Sequence, residues 1–323
     1  MLDGMNMNLN SYTAQNTNKG MLRLNQTTLK NPIHCNGVGL HSGQEITLAL
    51  KPAAPDHGIV FQRIDVAEAE SFIKADFDSV VDTRLCTTIG NEFGVNVGTI
   101  EHLMAAIVGC GLDNVLVQLD GPEVPVMDGS SEPFVFLIEC AGIEELNAER
   151  NILVVKKPVT VSQGDCVVSL KPADSFCVSL AIDFENKAIG RQDHFVEVSQ
   201  DSFKNEICRA RTFGSVQDVD KLRQMGLARG ASLDNAVALD GDRVLNEEGL
   251  RYNDEFVRHK VLDCIGDLGL AGFEIHGHFE GYKAGHALNN AILHALFSDE
   301  SNWEIMKAYE VSPAAPLLKV AGD

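Results

Sequence analysis

The sequence predicts an α+β protein built as two similar halves, each a β-sheet with helices packed on it. Three observations carry that expectation. A Gly-rich turn feeding an alternating strand occurs twice and ends in the same four residues. GVGLHSGQEITLALKPA (37–53) closes on Leu50-Lys51-Pro52-Ala53, and GDCVVSLKPA (164–173) closes on Leu170-Lys171-Pro172-Ala173. Downstream of each lies a helical stretch with a histidine, TIEHLMAAIVG in the first half and VRHKVLDCIGD in the second. Each helix breaks at glycines and returns as a strand, LDNVLVQLDG and GFEIHGHFEGYKAG, so the same succession of elements is met twice.

With 323 residues the chain can hold two domains of ordinary size with proper cores. Residues 1–20 are polar and Asn-rich, lack the basic and apolar regions of a secretory signal, and read as a disordered tail or an over-called start. A first α+β domain is expected over 21–148 and a second over 149–323. The seam falls near LNAERNI (146–152), a polar stretch between a helix and the strand ILVVKKPVTV. GVGLHSG is a hairpin turn rather than a dinucleotide fingerprint, because a strand follows it. TIEHLMAA starts an apolar helix that Thr99 could cap. In RTFGSVQDVDKLRQMGLARG (211–230) a short helix has Val216, Val219, Leu222 and Met225 as its apolar side. FVRHKVLDCIGDLGL (256–270) is an amphipathic helix with Val261, Leu262, Ile265 and Leu268 on one side, and GYKAGHALNNAILHALF starts another at His286.

The formal net charge of −20 argues against nucleic-acid partners and against docking on anionic lipid. An anionic small substrate would need locally placed Lys or Arg. Eight cysteines are scattered without a CxxC pair, several inside apolar runs; no disulfide framework or thiolate zinc cluster reads from that spacing, which fits a reducing cytoplasm. The longest apolar run, LMAAIVGCGL, is far short of a membrane span. A cytoplasmic monomer without a transmembrane segment is expected.

The polar side of the 256–270 helix sets the functional question. Surfaces meant for water carry Lys, Glu and Arg; this one aligns His259, Asp263 and Asp267 at i, i+4 and i+8. A His and an Asp four apart can ligate one metal. Joined by His102 from the first half, they make two imidazoles and one carboxylate with a fourth position left for water, the donor set of an open catalytic zinc. Glu101 beside a ligand is then a candidate general base. His286 is a candidate general acid, with Asp267 to orient it. Taken singly, each has an ordinary structural explanation: Glu101 as a favourable charge at a helix N-terminus, His102 and His286 as hydrogen-bonded helix residues.

At these residues the chain closely resembles the zinc-dependent UDP-3-O-acyl-N-acetylglucosamine deacetylases of Gram-negative lipid A biosynthesis. The resemblance runs from about Met21 to ALNNAILHALF. It includes GVGLHSG, DTRLCTTIGN, TIEHLMAA, GLDNV, PEVPVMDGSS, RARTFG, RVLNEEGLRYNDEFVRHKVLDCIGDL and YKAGHALNN. It implies a site between the two halves, one small insert per half, and a second insert (about 209–250) that shelters the substrate's acyl chain. Residue by residue, it implies that His102, His259 and Asp263 hold one catalytic Zn2+. Glu101 matches the base, His286 the acid, Asp267 its partner, and Thr212 the residue that holds the oxyanion. Phe184, Phe213, Gly214, Lys260 and Lys283 match positions that contact the UDP-linked, acylated sugar. One departure is Cys166, where the family can carry Lys after the GD turn. Cys86 matches a thiol close to the zinc pocket, and a small buried residue explains it equally well. An amidohydrolase of another acylated amino sugar and a non-enzymatic sugar- or metal-binding relative are the rival readings; intact Glu101 and His286 speak against the second.

Overall fold

Residues 22–311 are described in the computed structural model, and the tail expected over 1–20 lies outside the described residues. Strand β1 (Asn25–Leu29) precedes the hairpin of β2 (Ile33–Val38) and β3 (Glu45–Pro52), followed by β4 (Ile59–Arg63) and β5 (Phe72–Lys74). Three short strands, β6 (Val80–Asp82), β7 (Thr88–Gly90) and β8 (Asn96–Val97), lead into α1 (Glu101–Gly109), β9 (Val115–Leu119), α2 (Glu132–Ala141) and β10 (Ile143–Glu149). The second part opens with β11 (Asn151–Val155), β12 (Val159–Gln163), β13 (Cys166–Pro172), β14 (Phe176–Asp183), β15 (Arg191–Glu197) and a single turn, α3 (Gln200–Ser202). Then come β16 (Phe213–Ser215), α4 (Val216–Gln224), β17 (Val237–Asp240), β18 (Arg243–Val244), α5 (Glu255–Leu268), β19 (Glu274–Tyr282), α6 (His286–Phe297) and β20 (Trp303–Lys307).

The expected α+β architecture is present, and the repeat seen in the sequence extends to strand pairing. One sheet has the order β2-β3-β9-β4-β5. In the second sheet β12, β13, β19, β14 and β15 are hydrogen-bonded in the corresponding order, and β11 and β20 extend it. The register repeats as well. Pro52 pairs with Val115, which pairs with Ile59; Pro172 pairs with Gly277, which pairs with Phe176. The shared Leu-Lys-Pro-Ala endings therefore mark equivalent points in two like sheets. Period-2 alternation buries Leu48, Leu50, Val115 and Val117 in the first and Val168, Leu170, Val178 and Phe279 in the second. These join the apolar sides of α1, α2, α5 and α6 in one continuous core.

Each sheet is interrupted at the same place. The β6-β7-β8 sheet lies between β5 and α1, and the β16-β17-β18 sheet with α4 lies between β15 and α5. The stretch read as a polar seam is instead strand: β10 pairs with β1, and β11 follows after one residue. That residue, Arg150, is buried between Asp113 (2.8 Å) and Glu274 (2.6 Å), so its charge ties the loop before β9 to β19. Polar composition misled here because the polar residues flank one buried, doubly paired guanidinium. The stretch ILVVKKPVTV is likewise two strands, β11 and β12, parted around Lys156–Pro158.

Helix α5 differs from an ordinary amphipathic helix. Both its apolar residues and His259, Asp263 and Asp267 are buried, because the second face lies on α1. Gly266 permits that contact: a Cβ at this position would stand 2.1 Å from the Glu101 carbonyl oxygen and 3.1 Å from the Ala105 nitrogen. One turn on, a Cβ at Gly269 would meet side chains alone, the Val108 Cγ2 methyl at 2.6 Å and Met104 Cε at 3.5 Å. Gly266→Ala must therefore move backbone, whereas Gly269→Ala can be met by a side-chain shift. We expect Gly266→Ala to cost about 1–3 kcal/mol, the range for overpacking a tight core, and more than Gly269→Ala in urea unfolding. Equal midpoints for wild type and Gly266→Ala would contradict this packing.

Candidate metal centre and proton-transfer groups

Helix α1 brings Glu101 and His102 to the crossing, and α5 brings His259, Asp263 and Asp267. Thr99 does not cap α1. Its φ is +55°, its hydroxyl donates to Glu123 Oε1 at 2.8 Å, and the helix begins after Ile100 without a side-chain cap. Ser131, from the MDGSS stretch, donates from its hydroxyl to the His102 carbonyl at 2.7 Å and fixes the helix at its N-terminal end.

The Nε2 atoms of His102 and His259 stand 3.6 and 3.3 Å from Asp263 Oδ1, and the two rings meet edge-on with centroids 5.0 Å apart. One donor atom from each of the three residues lies within 4.8 Å of the other two. Burial, followed by the neighbouring His259, lowers His102 to about 3, and burial lowers His259 as well. Burial opposes ionisation of Asp263, but His259 and Lys260 outweigh it and hold the carboxyl well below its ordinary range. These shifts favour neutral imidazoles and an ionised carboxylate, the forms in which such groups bind a metal. His259 Nδ1 donates to the Ala210 carbonyl at 3.1 Å, which leaves its Nε2 lone pair free. Asp263 Oδ2 accepts from Lys260 Nζ at 2.9 Å, while Oδ1, buried between two imidazole edges, has no hydrogen-bond partner among the described residues. An orphaned carboxylate oxygen costs free energy in a dry site. A divalent cation would satisfy it, and the residues present fit one.

Beside this triad the candidate proton-transfer groups stand in a row. His286, the first residue of α6, places Nδ1 2.8 Å from Asp267 Oδ2 and Nε2 4.0 Å from Glu101 Oε1. Burial works against the charged ring, but Asp267 and then Glu101 overcome it and raise His286 to about 9. Burial raises Glu101 to about 7, with His286 pulling the other way. Cys86, close by, is pushed up to about 12 by burial and by Glu101, which favours its neutral thiol.

The substrate-contact candidates lie alongside. Phe184, Lys260 and Lys283 line one cleft of about 170 Å³ together with Ile182, Asp183 and Ala284. Phe213 links this cleft to the triad. Its ring meets Phe184 at 5.9 Å, Phe256 at 4.9 Å and His259 at 6.1 Å, all edge-on. Gly214 sits in β16 opposite Ala238. Thr212 is held by its backbone, between Gly129 and Val237, and its hydroxyl makes no hydrogen bond among the described residues. Lys283 is ion-paired with the exposed Asp165 at 2.7 Å, next to Cys166. Met225 departs from the sequence reading of α4: it follows the helix and is largely exposed, leaving Val216, Val219 and Leu222 as the half-buried side.

The family model for UDP-3-O-acyl N-acetylglycosamine deacetylase (LpxC) matches residues 26–298. The chain belongs to this deacetylase family. It is 54% identical over 285 residues to a protein of Acidithiobacillus ferrooxidans, covering 88% of this chain and 93% of that one. A Myxococcus xanthus protein is 52% identical over 284 residues, covering 88% and 90%, and one from Histophilus somni is 47% identical over 285 residues, covering 88% and 93%. All three are named UDP-3-O-acyl-N-acetylglucosamine deacetylase.

Sequence reasoning did not single out Thr87, Ser131 or Asn289. Thr87 lies inside DTRLCTTIGN and Asn289 lies three residues after His286, so the family motifs held the signal without the contacts. For this deacetylase-family chain, His259→Ala should lose its metal by elemental analysis while circular dichroism stays unchanged. Glu101→Ala and His286→Ala should keep theirs. Full metal occupancy in His259→Ala is the result that would remove it from the ligand set.

Proposed function

We propose that the protein is a cytoplasmic Zn2+-dependent deacetylase. It hydrolyses the N-acetyl group of UDP-3-O-(3-hydroxyacyl)-N-acetylglucosamine to acetate and the free amine, the committed step of lipid A biosynthesis. The observation that carries this reading is the juxtaposition of a buried His102–His259–Asp263 donor set with Glu101 and His286. Pure binding needs no such acid–base pair. When bound, the cation supplies Lewis acidity, polarising a carbonyl and making water more acidic. The chain's residues do the rest. Glu101 takes the proton of the attacking water, whose oxygen bonds to the acetamide carbon. Thr212 stands to donate its hydroxyl to the oxygen that gains charge. His286, held protonated by Asp267, delivers its proton to the nitrogen as the C–N bond breaks. Phe184, Phe213, Gly214, Lys260 and Lys283 place the UDP-sugar, the two lysines supplying local positive charge that the chain as a whole lacks. The acyl chain is assigned to the half-buried apolar side of α4.

An amine-release assay tests the assignment. Removing the acyl chain from the substrate should lower kcat/KM by at least tenfold, because remote binding energy is used in the chemical step. Equal turnover of both substrates would favour the rival amidohydrolase of simpler amino sugars.

The pH dependence follows from the two proton-transfer groups. A base that must be ionised loses activity as pH falls, and an acid that must be protonated loses it as pH rises, so kcat/KM should be bell-shaped. With Glu101 at about 7 and His286 at about 9, the apo values bracket the optimum. A cation near Glu101 favours its carboxylate and moves the acid limb below that value. Asp267 raises His286, so Asp267→Asn should move the alkaline limb to lower pH. An alkaline limb that stays in place in Asp267→Asn would exclude His286 as the group it reports.

A further inference from the structure

Thr87 touches neither the cleft nor the donor set, yet all of its polar groups are used at the site. Its backbone N–H donates to Glu101 Oε2 at 3.0 Å, and its hydroxyl donates to Asp267 Oδ1 at 2.5 Å. Its carbonyl accepts the Ile100 N–H at 3.3 Å, one residue before Glu101. The residue is 1% exposed and sits where the β6–β7 loop enters β7, inside the first insert. Glu101 and Asp267 belong to different helices, α1 and α5, and neither carboxylate bonds the other. A single rigid β-branched residue spans both.

We propose that Thr87 is a positioning residue that clamps the base and the acid system of the reaction together. This rests on the reading of Glu101 and His286 as those two groups. The clamp decides which oxygens are left to work. With Oε2 held by the Thr87 N–H, Glu101 turns Oε1 toward His286 Nε2. With Oδ1 held by the Thr87 hydroxyl, Asp267 offers Oδ2 to His286 Nδ1 and to Asn289 Nδ2, at 2.8 and 2.9 Å. Without the hydroxyl, a buried carboxylate oxygen loses its donor, and Asp267 is free to rotate toward another. His286 then loses the orientation that aims its other nitrogen at the reacting amide. The first insert is thereby part of the proton-transfer apparatus, not only a covering of the sheet end.

The test separates the hydroxyl from the backbone. Thr87→Val keeps shape and N–H but removes the O–H; Thr87→Ser keeps both groups. A hydrogen bond to a buried charge corresponds to about 10- to 100-fold in rate. Thr87→Val should lower kcat by about that factor with KM within about twofold and metal content unchanged, and Thr87→Ser should restore most of it. In a His286→Ala background, Thr87→Val should cost less than about twofold, because a residue acting through another adds nothing once the other is gone. The same loss in both backgrounds, or a wild-type kcat in Thr87→Val, overturns the proposal. A second readout needs no turnover. The His286 Nδ1–H proton signal in NMR should persist in wild type and Thr87→Ser and vanish by exchange in Thr87→Val. Its persistence in Thr87→Val overturns the clamp. Absence of amine release by the wild-type protein counts against the proposed activity alone.

Discussion

The site depends on how closely two helices approach. Gly266 of α5 lies against the Glu101 carbonyl of α1 at a distance that leaves no room for a Cβ. Small residues at a crossing allow backbones, rather than side-chain tips, to meet. Only at that separation can short side chains from both helices share one cation, and only then does His286 on α6 face Glu101. The repeated sheets serve this contact. Each supplies a helix at the equivalent point of its own order, and packing the two helices together makes one core out of two like units.

Burial then sets the chemistry. Glu101, His102, His259, Asp263 and Asp267 are all nearly inaccessible, and an ionic or polar group in such a place needs a partner. Asp267 has three donors around it, and Glu101 has the Thr87 N–H. The oxygen left over, Asp263 Oδ1, lies where the imidazole edges converge. Desolvation moves the two kinds of group apart: it raises the Glu101 carboxyl and lowers the His102 and His259 imidazoles. His286 escapes the same fate because Asp267, and after it Glu101, favour its charged form.

Much of this was legible in the sequence. The i, i+4, i+8 array on α5 announced a polar helix face unsuited to water, and the repeated Leu-Lys-Pro-Ala endings marked two equivalent strands. The long ordered run of family motifs contained the ionisable residues that the fold brings together at the candidate site. Contacts between distant residues were not legible. Thr87 is 180 residues from Asp267, and no local pattern relates them. Arg150 looked like part of a polar seam, although it is buried and paired with two carboxylates. Thr99 has the right residue type for a helix cap, but Glu123 takes its hydroxyl and a positive φ takes its backbone elsewhere. In each case local propensity was outweighed by a tertiary partner.

The central claim is that α1 and α5 jointly form one metal centre of nitrogen and oxygen donors. X-ray absorption spectroscopy of the zinc-loaded protein measures that donor set directly. The account predicts two imidazole nitrogens with further oxygen neighbours and no sulfur, although Cys86 lies close by. A sulfur neighbour, or a single imidazole, would contradict it.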